Sequence, residues 1–322
     1  MSFGGDDDDD GVRWGTIRLV GVGDVTAVRF DAELDTRRVM DSDWARVRPE
    51  HTHKRDSGAV LLRRTRRVGD ASMLFEIARP DAGPCAGLSD STLVAEWTRQ
   101  TVIASAHHHY DVPIGFAFVM RQLQVELLAP VLGVTPSVLI VTADVVRKGG
   151  HVRGLRAWVY FQVAGRLVAR GYGDLQVLTP AVYGRVRSGG RCSADLTRAS
   201  GQERPVDLER IAPQRWRVRF DPHDRFFFDH PLDHVPGMLL FEAARGLAVA
   251  LSEYGVDDLV SFDGVFCQYA ELDEVLEFEV TGQPQSGGRT HTELRAVGAN
   301  DRTVLVATAV TTRRPSRRRA AS

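Results

Sequence analysis

The chain carries an internal repeat, and that repeat limits its fold more than anything else in the sequence. Leu93-Val94-Ala95-Glu96-Trp97-Thr98-Arg99 lines up with Leu239-Leu240-Phe241-Glu242-Ala243-Ala244-Arg245 at one constant offset. Shortly after, with a small shift, Tyr110-Asp111-Val112 matches Tyr254-Gly255-Val256. The patterning around these strings agrees. A helical segment at 91–109 precedes β-rich runs at 114–128, 137–147, 155–163 and 167–178, separated by Pro or Gly turns. A second helical segment at 236–254 precedes runs at 259–269, 275–281, 290–297 and 303–312. Shorter strand-like pieces lie ahead of each helix, at 59–62 and 73–78 in one case and at 216–220 and 225–228 in the other. One long helix followed by about four antiparallel strands, twice, is a duplicated α+β unit. A length of 322 residues suits two such units better than one small core.

The expected layout is an accessory segment at 1–50, a first unit at 51–184, a Ser/Gly/Arg-rich linker at 185–205, a second unit at 206–312 and a basic tail at 313–322. The run Asp6 to Asp10 self-repels and cannot bury a core. The β-like stretches at 16–22 and 26–30 have no assigned role. A net charge of −1 argues against nucleic acid as a partner. The best candidate for a membrane span, 127–141, is cut by Pro130 and Pro136. With no basic, apolar leader, the reading is a cytoplasmic protein. Cys85, Cys192 and Cys267 are odd in number and far apart, which implies neither a disulfide framework nor a zinc ribbon. Lys54 and Lys148 are the only lysines, so an anion site would be built mainly from arginine.

Both helices are apolar on nearly every side, the pattern of a buried helix. On the second, Glu242 and Arg245 share one narrow sector; on the first, Leu93, Val94, Trp97, Val102 and Ile103 surround Glu96, Arg99 and Gln100. Each Glu–Arg pair is either an ordinary i,i+3 ion pair on a solvated strip or a desolvated pair poised for acid–base or binding work.

The lead-in to the second helix is the most distinctive string: Phe228-Asp229-His230-Pro231-Leu232-Asp233-His234-Val235-Pro236-Gly237-Met238. Pro236 suits a first helical turn, and Gly237 then offers a bare amide at the positive end of the helix dipole, able to polarise a thioester carbonyl. His230 is a candidate acid–base or positioning group, with a structural turn histidine as the alternative. The alternation of His230 and His234 with Asp229 and Asp233 is weak grounds for a metal, and none is expected. The run His107-His108-His109 reads as an exposed helix end.

These residues resemble two related groups. The stretch Val235 to Ala243 is similar to the helix start of hotdog-fold acyl-carrier-protein dehydratases. The longer string Phe228 to Arg245 more closely resembles the A-factor biosynthesis (AfsA-like) proteins of actinobacteria, as do His53-Lys54-Arg55, Leu93 to Gln100 and Gln268-Tyr269-Ala270-Glu271-Leu272. The resemblance implies a double hotdog, each unit a long central helix wrapped by an antiparallel sheet. It also implies transfer of a β-ketoacyl group from acyl carrier protein to a hydroxyl of dihydroxyacetone phosphate, with no cofactor. Carried onto this chain, it makes Glu242 and Arg245 the second-half site pair, with Glu96 and Arg99 their first-half counterparts. Together with the residue reading above, Glu242 as general base, Gly237 and His230 are the expected catalytic residues, and Arg245, Glu96 and Arg99 hold substrate. Two departures stand out. The dehydratase histidine position falls on Phe228 unless a short deletion brings His230 there. The first half has Pro84-Cys85-Ala86-Gly87-Leu88-Ser89 where the second has its His-Pro…Val-Pro-Gly string. Alternatives are a dehydratase or thioesterase of the same fold, or a non-catalytic acyl-binding protein.

Overall fold

The structure is a computed structural model that describes residues 44–78, 83–131, 133, 135–188, 206–230, 232–252 and 258–312. The expectations placed on 1–43, on 189–205 (with Cys192) and on 313–322 lie outside the described residues.

The first unit runs β1 (Ala45–Arg46), β2 (Leu62–Gly69), β3 (Ser72–Ile77), α1 (Asp90–Tyr110), β4 (Ala117–Leu127), β5 (Ser137–Lys148), β6 (His151–Val163) and β7 (Arg166–Leu178). A short helix, α2 (Pro180–Arg187), leads away from β7. The second unit runs β8 (Val206–Ala212), β9 (Arg215–Phe220), α3 (Gly237–Ala250), β10 (Ser261–Phe266), β11 (Glu277–Gly282), β12 (Gln285–Ser286), β13 (Arg289–Val297) and β14 (Thr303–Thr312). The helix-then-four-strands pattern thus occurs twice, with β12 a short piece paired to β13.

All the strands belong to one sheet in the order β1-β2-β3-β5-β6-β7-β4-β10-β14-β13-β11-β9-β8. Outward from the centre, one half gives β4-β7-β6-β5-β3-β2 and the other β10-β14-β13-β11-β9-β8, which is the same order. Equivalent strands β4 and β10 pair antiparallel, Leu123 opposite Gly264. Antiparallel pairing of equivalent strands places a local pseudo-twofold axis at this seam. The result is two hotdog units whose sheets are continuous.

Each helix is buried against its own half, as its all-round apolarity requires. Trp97 and Phe241 are among the largest fully buried side chains, packed on Phe161 and Phe262 respectively. α1 lies close enough on β7 that a Cβ on Gly171 would sit 2.0 Å from Thr98 Oγ1.

Some expectations change. Residues 225–228 form a turn, because Asp224 Oδ1 accepts the amides of Phe226 and Phe227 and its carbonyl accepts that of Phe228. α3 ends at Ala250, short of Tyr254. His107 and His109 are buried rather than exposed, bonded to the Val112 and Asp70 carbonyls. Ala45–Arg46 pairs with β2 and Val47 is buried, so the end of the 1–50 segment packs on the first unit. α2 spans the 184/185 division between first unit and linker.

Candidate active site

A cavity of about 1120 Å³ lies between the halves and takes its walls from both. The first unit supplies His53, Lys54 and Arg55 ahead of β2, Glu96 and Arg99 from α1, and Phe118, Met120 and Arg121 from β4. The second supplies Asp229, His230, Asp233, His234 and the start of α3 at Gly237.

Pro236 is the N-cap of α3 and makes no side-chain cap hydrogen bond, so Gly237 is the first helical residue. Its amide and that of Met238 have no hydrogen-bond partner among the described residues. Two bare donors at a helix N-terminus favour an anion or a developing oxyanion. A Cβ on Gly237 would meet the Phe266 ring at 3.3 Å and Met120 Sδ at 3.7 Å, so glycine allows these apolar groups to close over the helix start.

Two Asp–His pairs face the cavity. Asp229 Oδ1 lies 2.6 Å from His230 Nδ1, and its other oxygen accepts the Arg55 amide at 2.8 Å. Burial acts to raise the Asp229 pKa, but the His230 bond, Lys54 and the Arg55 amide outweigh it and hold the carboxyl below the usual range. An ionised carboxylate only accepts, so neutral His230 carries its proton on Nδ1 and leaves Nε2 as an acceptor. Asp233 is set likewise, 2.6 Å from His234 Nδ1, and also accepts from Tyr183 Oη (2.7 Å) and Arg187 Nε (3.0 Å). His53, held in left-handed backbone at φ 56°, is neutral: burial, then His107, Arg99 and His230, push its pKa down to about 3.

Glu96 is 0% exposed and fully engaged. Arg99 forks onto it at 2.8 Å through both Nε and Nη2, Gln100 Nε2 donates at 2.7 Å, and Lys54 Nζ lies at 3.6 Å. Burial alone would raise its pKa; Arg99 and Lys54 reverse that and hold it at about 2. Such a carboxylate is a poor proton acceptor and a firm anchor. Lys54 also donates to the Phe226 carbonyl at 2.9 Å, tying the first unit to the loop that bears His230.

Glu242 and Arg245 are not among the residues lining this cavity. They pair with each other, Arg245 Nη2 to Glu242 Oε1 at 2.5 Å, each 17% exposed. Thr92 Oγ1 donates to Glu242 at 2.8 Å, and Asp258 lies 3.8 Å from Arg245. This is the pseudo-symmetric counterpart of the cavity, and here the N-terminus of α1 is closed. Ser91 donates its amide (2.8 Å) and its hydroxyl to Asp258, and Ser89 Oγ caps the Thr92 amide at 3.2 Å. The structure therefore gathers His230, Gly237, Glu96 and Arg99 in one place and sets Glu242 and Arg245 in another. The cross-half pairing follows from the twofold, which faces the helix start of one unit with the Glu–Arg pair of the other.

Among the described residues no group of three His, Cys, Asp or Glu is placed to hold a metal ion, and no helix is long and apolar enough to cross a membrane. Cys85 and Cys267 are free. From the sequence, Asp229 has weight only in the weak metal pattern, and His53 and Lys54 only in the family resemblance; the adjacency Asp229-His230 is the signal that points to the first as a partner of the histidine.

Two hotdog units on a continuous sheet define a double-hotdog protein in which, among the described residues, the α1 start is capped and the α3 start opens to a cavity with Asp–His pairs. The chain belongs to the AfsA family, matching the A-factor biosynthesis hotdog domain over residues 36–179 and 205–320. A Streptomyces coelicolor protein named 2-oxo-3-(phosphooxy)propyl 3-oxoalkanoate synthase is 32% identical over 239 residues, 68% of this chain and 74% of that protein. A Streptomyces virginiae protein of the same name is 29% identical over 247 residues, 71% and 83% of the two chains. Among solved structures, a Mycobacterium avium tesB protein is similar with a TM-score of 0.47 at 13% identity, over 78% of this chain and 96% of that one.

Proposed function

We propose that this chain moves a 3-oxoacyl group from the thioester of an acyl carrier protein to the primary hydroxyl of dihydroxyacetone phosphate. The product is the ester that the relatives' name describes. The observation that carries this reading is the uncapped α3 N-terminus opening into the same cavity as the Asp229–His230 pair.

The acyl carbonyl sits at the Gly237 and Met238 amides, which polarise it and stabilise the tetrahedral oxyanion. His230 Nε2 takes the proton of the attacking hydroxyl, and Asp229 stabilises the imidazolium. The C–O bond forms, the C–S bond breaks, and the imidazolium returns its proton to the departing thiolate. The exchange is redox-neutral and balances without a cofactor. Glu96 and Arg99 form the opposite wall, and Lys54 holds the His230 loop against it. Glu242 and Arg245 act as structural partners of the capped α1 terminus.

The test is mass spectrometry of the chain with a β-ketoacyl carrier protein, with and without dihydroxyacetone phosphate. The reading expects a phosphorylated ester that forms only with the acceptor. Free acid would indicate a thioesterase, an enoyl product from a β-hydroxyacyl carrier a dehydratase, and no product a binding protein.

A further inference from the structure

The cavity wall is rich in cations, and most are already neutralised. Lys54 and Arg99 share Glu96. Arg187 forks onto Glu271 at 2.8 Å through both Nη atoms and bonds Asp233. Arg302 pairs with Glu274 at 2.7 Å. Two cations remain. The Arg55 and Arg121 guanidiniums line the cavity from exposed positions and have no hydrogen-bond or carboxylate partner among the described residues. We infer that Arg55 and Arg121 form a phosphate-binding subsite of this cavity that takes the phosphate group of a substrate; this rests on the acyl-transfer reading above.

Position supports the assignment. The Arg55 amide bonds Asp229 Oδ2 at 2.8 Å, which fixes its backbone beside the His230 pair. An arginine side chain reaches roughly 6 Å from its Cα, and the hydroxyl oxygen and phosphorus of extended dihydroxyacetone phosphate are about as far apart. A phosphate on Arg55 therefore leaves the hydroxyl within range of His230. Arg121 comes from a different element, β4. The β4–β7 register passes from Met120 opposite Leu175 directly to Gln122 opposite Asp174, so Arg121 is the extra residue of a β-bulge. Bulges re-aim side chains next to functional sites, and this one follows the Met120 that covers Gly237. Two guanidiniums suit a phosphate because each offers a planar pair of donors.

The same chemistry has two sources, the phosphate monoester of the acceptor and the phosphodiester of the carrier's pantetheine arm. Arg55→Gln, Arg121→Gln and the double variant distinguish them, and both side chains are exposed, so folding is preserved and checked by thermal melting. KM is measured for dihydroxyacetone phosphate and for acyl-phosphopantetheine, with dihydroxyacetone and acyl-pantetheine as phosphate-free controls. Affinity for dihydroxyacetone phosphate and for inorganic phosphate is measured separately by calorimetry, without an acyl donor. Charge-assisted bonds of this kind predict a loss of about 10-fold or more per arginine. A collapse of the preference for phosphorylated acceptor supports the subsite with the acceptor as source; a collapse of the preference for phosphopantetheine supports it with the carrier. Unchanged KM values and unchanged phosphate affinity in the double variant overturn it. If the natural chain makes no ester but loses phosphate affinity in the variants, the transfer reading fails and the subsite stands.

Discussion

Asp229→Asn isolates the chemistry assigned to the cavity, because the side chains are nearly isosteric and the Asp229 side chain is 1% exposed. The asparagine can still accept the Arg55 amide with its oxygen. Its NH₂ then faces His230 Nδ1, which must become the acceptor, and the imidazole proton moves to Nε2. The nitrogen facing the substrate turns from acceptor to donor, and the imidazolium loses its counter-charge. Loss of a general base lowers rate by about 10²–10⁴-fold, or roughly 3–5.5 kcal/mol of transition-state stabilisation. Substrate contacts are untouched, so KM for both substrates should stay within about threefold, since the lost interaction belongs to the transition state. The folded state loses one charge-assisted hydrogen bond, about 1.5–3 kcal/mol. The assay is release of carrier thiol, with the ester confirmed by mass, beside a urea titration showing that the variant is folded. Glu242→Gln is the companion and should transfer within a few-fold of the natural rate. A fast Asp229→Asn and a dead Glu242→Gln would refute the assignment and return the chemistry to the other half.

Glu96→Gln leaves Lys54 and Arg99 buried without their anion, and urea unfolding should show a loss of about 3–5 kcal/mol; Glu242→Gln, partly exposed, should cost about 1 kcal/mol or less on the same measurement. Gly171→Ala drives a methyl into Thr98 and should destabilise by about 1–3 kcal/mol in the same assay, from overpacking α1 against β7. Stability should also fall with acid. Burial, then its histidine and arginine neighbours, lowers His108 to about 4 and His53 to about 3, against 6.5 for a free histidine. The unfolded chain therefore binds these protons first. Stability is full above pH 6.5 and declines as pH falls through about 4 towards about 3, and urea midpoints should decline less steeply for His53→Gln combined with His108→Gln.

The tandem architecture was legible because apolar periodicity records burial, and both helices and their eight following strands are apolar enough to show it. β2 and β8 were not. Their Arg64, Arg66, Arg67 and Glu209, Arg210 mask a pattern in which few residues turn inward: Leu62 and Thr65 are the buried residues of β2, and β8 has none. The turn at 225–228 read as a strand because three phenylalanines outweighed Asp224, whose side chain caps it. The site residues were legible as types. Which of them meet was not, since the pseudo-twofold that faces Glu96 with the other half's Gly237 is a property of the β4–β10 seam. The closed state of the α1 terminus depends on Asp258, distant in sequence from Ser91 and supplied by the opposite unit.

The proposed acyl transfer requires that one helix start, that of α3, receives the acyl carbonyl. A crystal structure of the chain with a non-hydrolysable amide analogue of β-ketoacyl pantetheine tests it most directly. The analogue's carbonyl oxygen should lie within hydrogen-bond reach of the Gly237 or Met238 amide, with His230 Nε2 facing the carbonyl carbon. An analogue bound instead beside Glu242 and Thr92, with Asp258 displaced from the Ser91 amide, would contradict it.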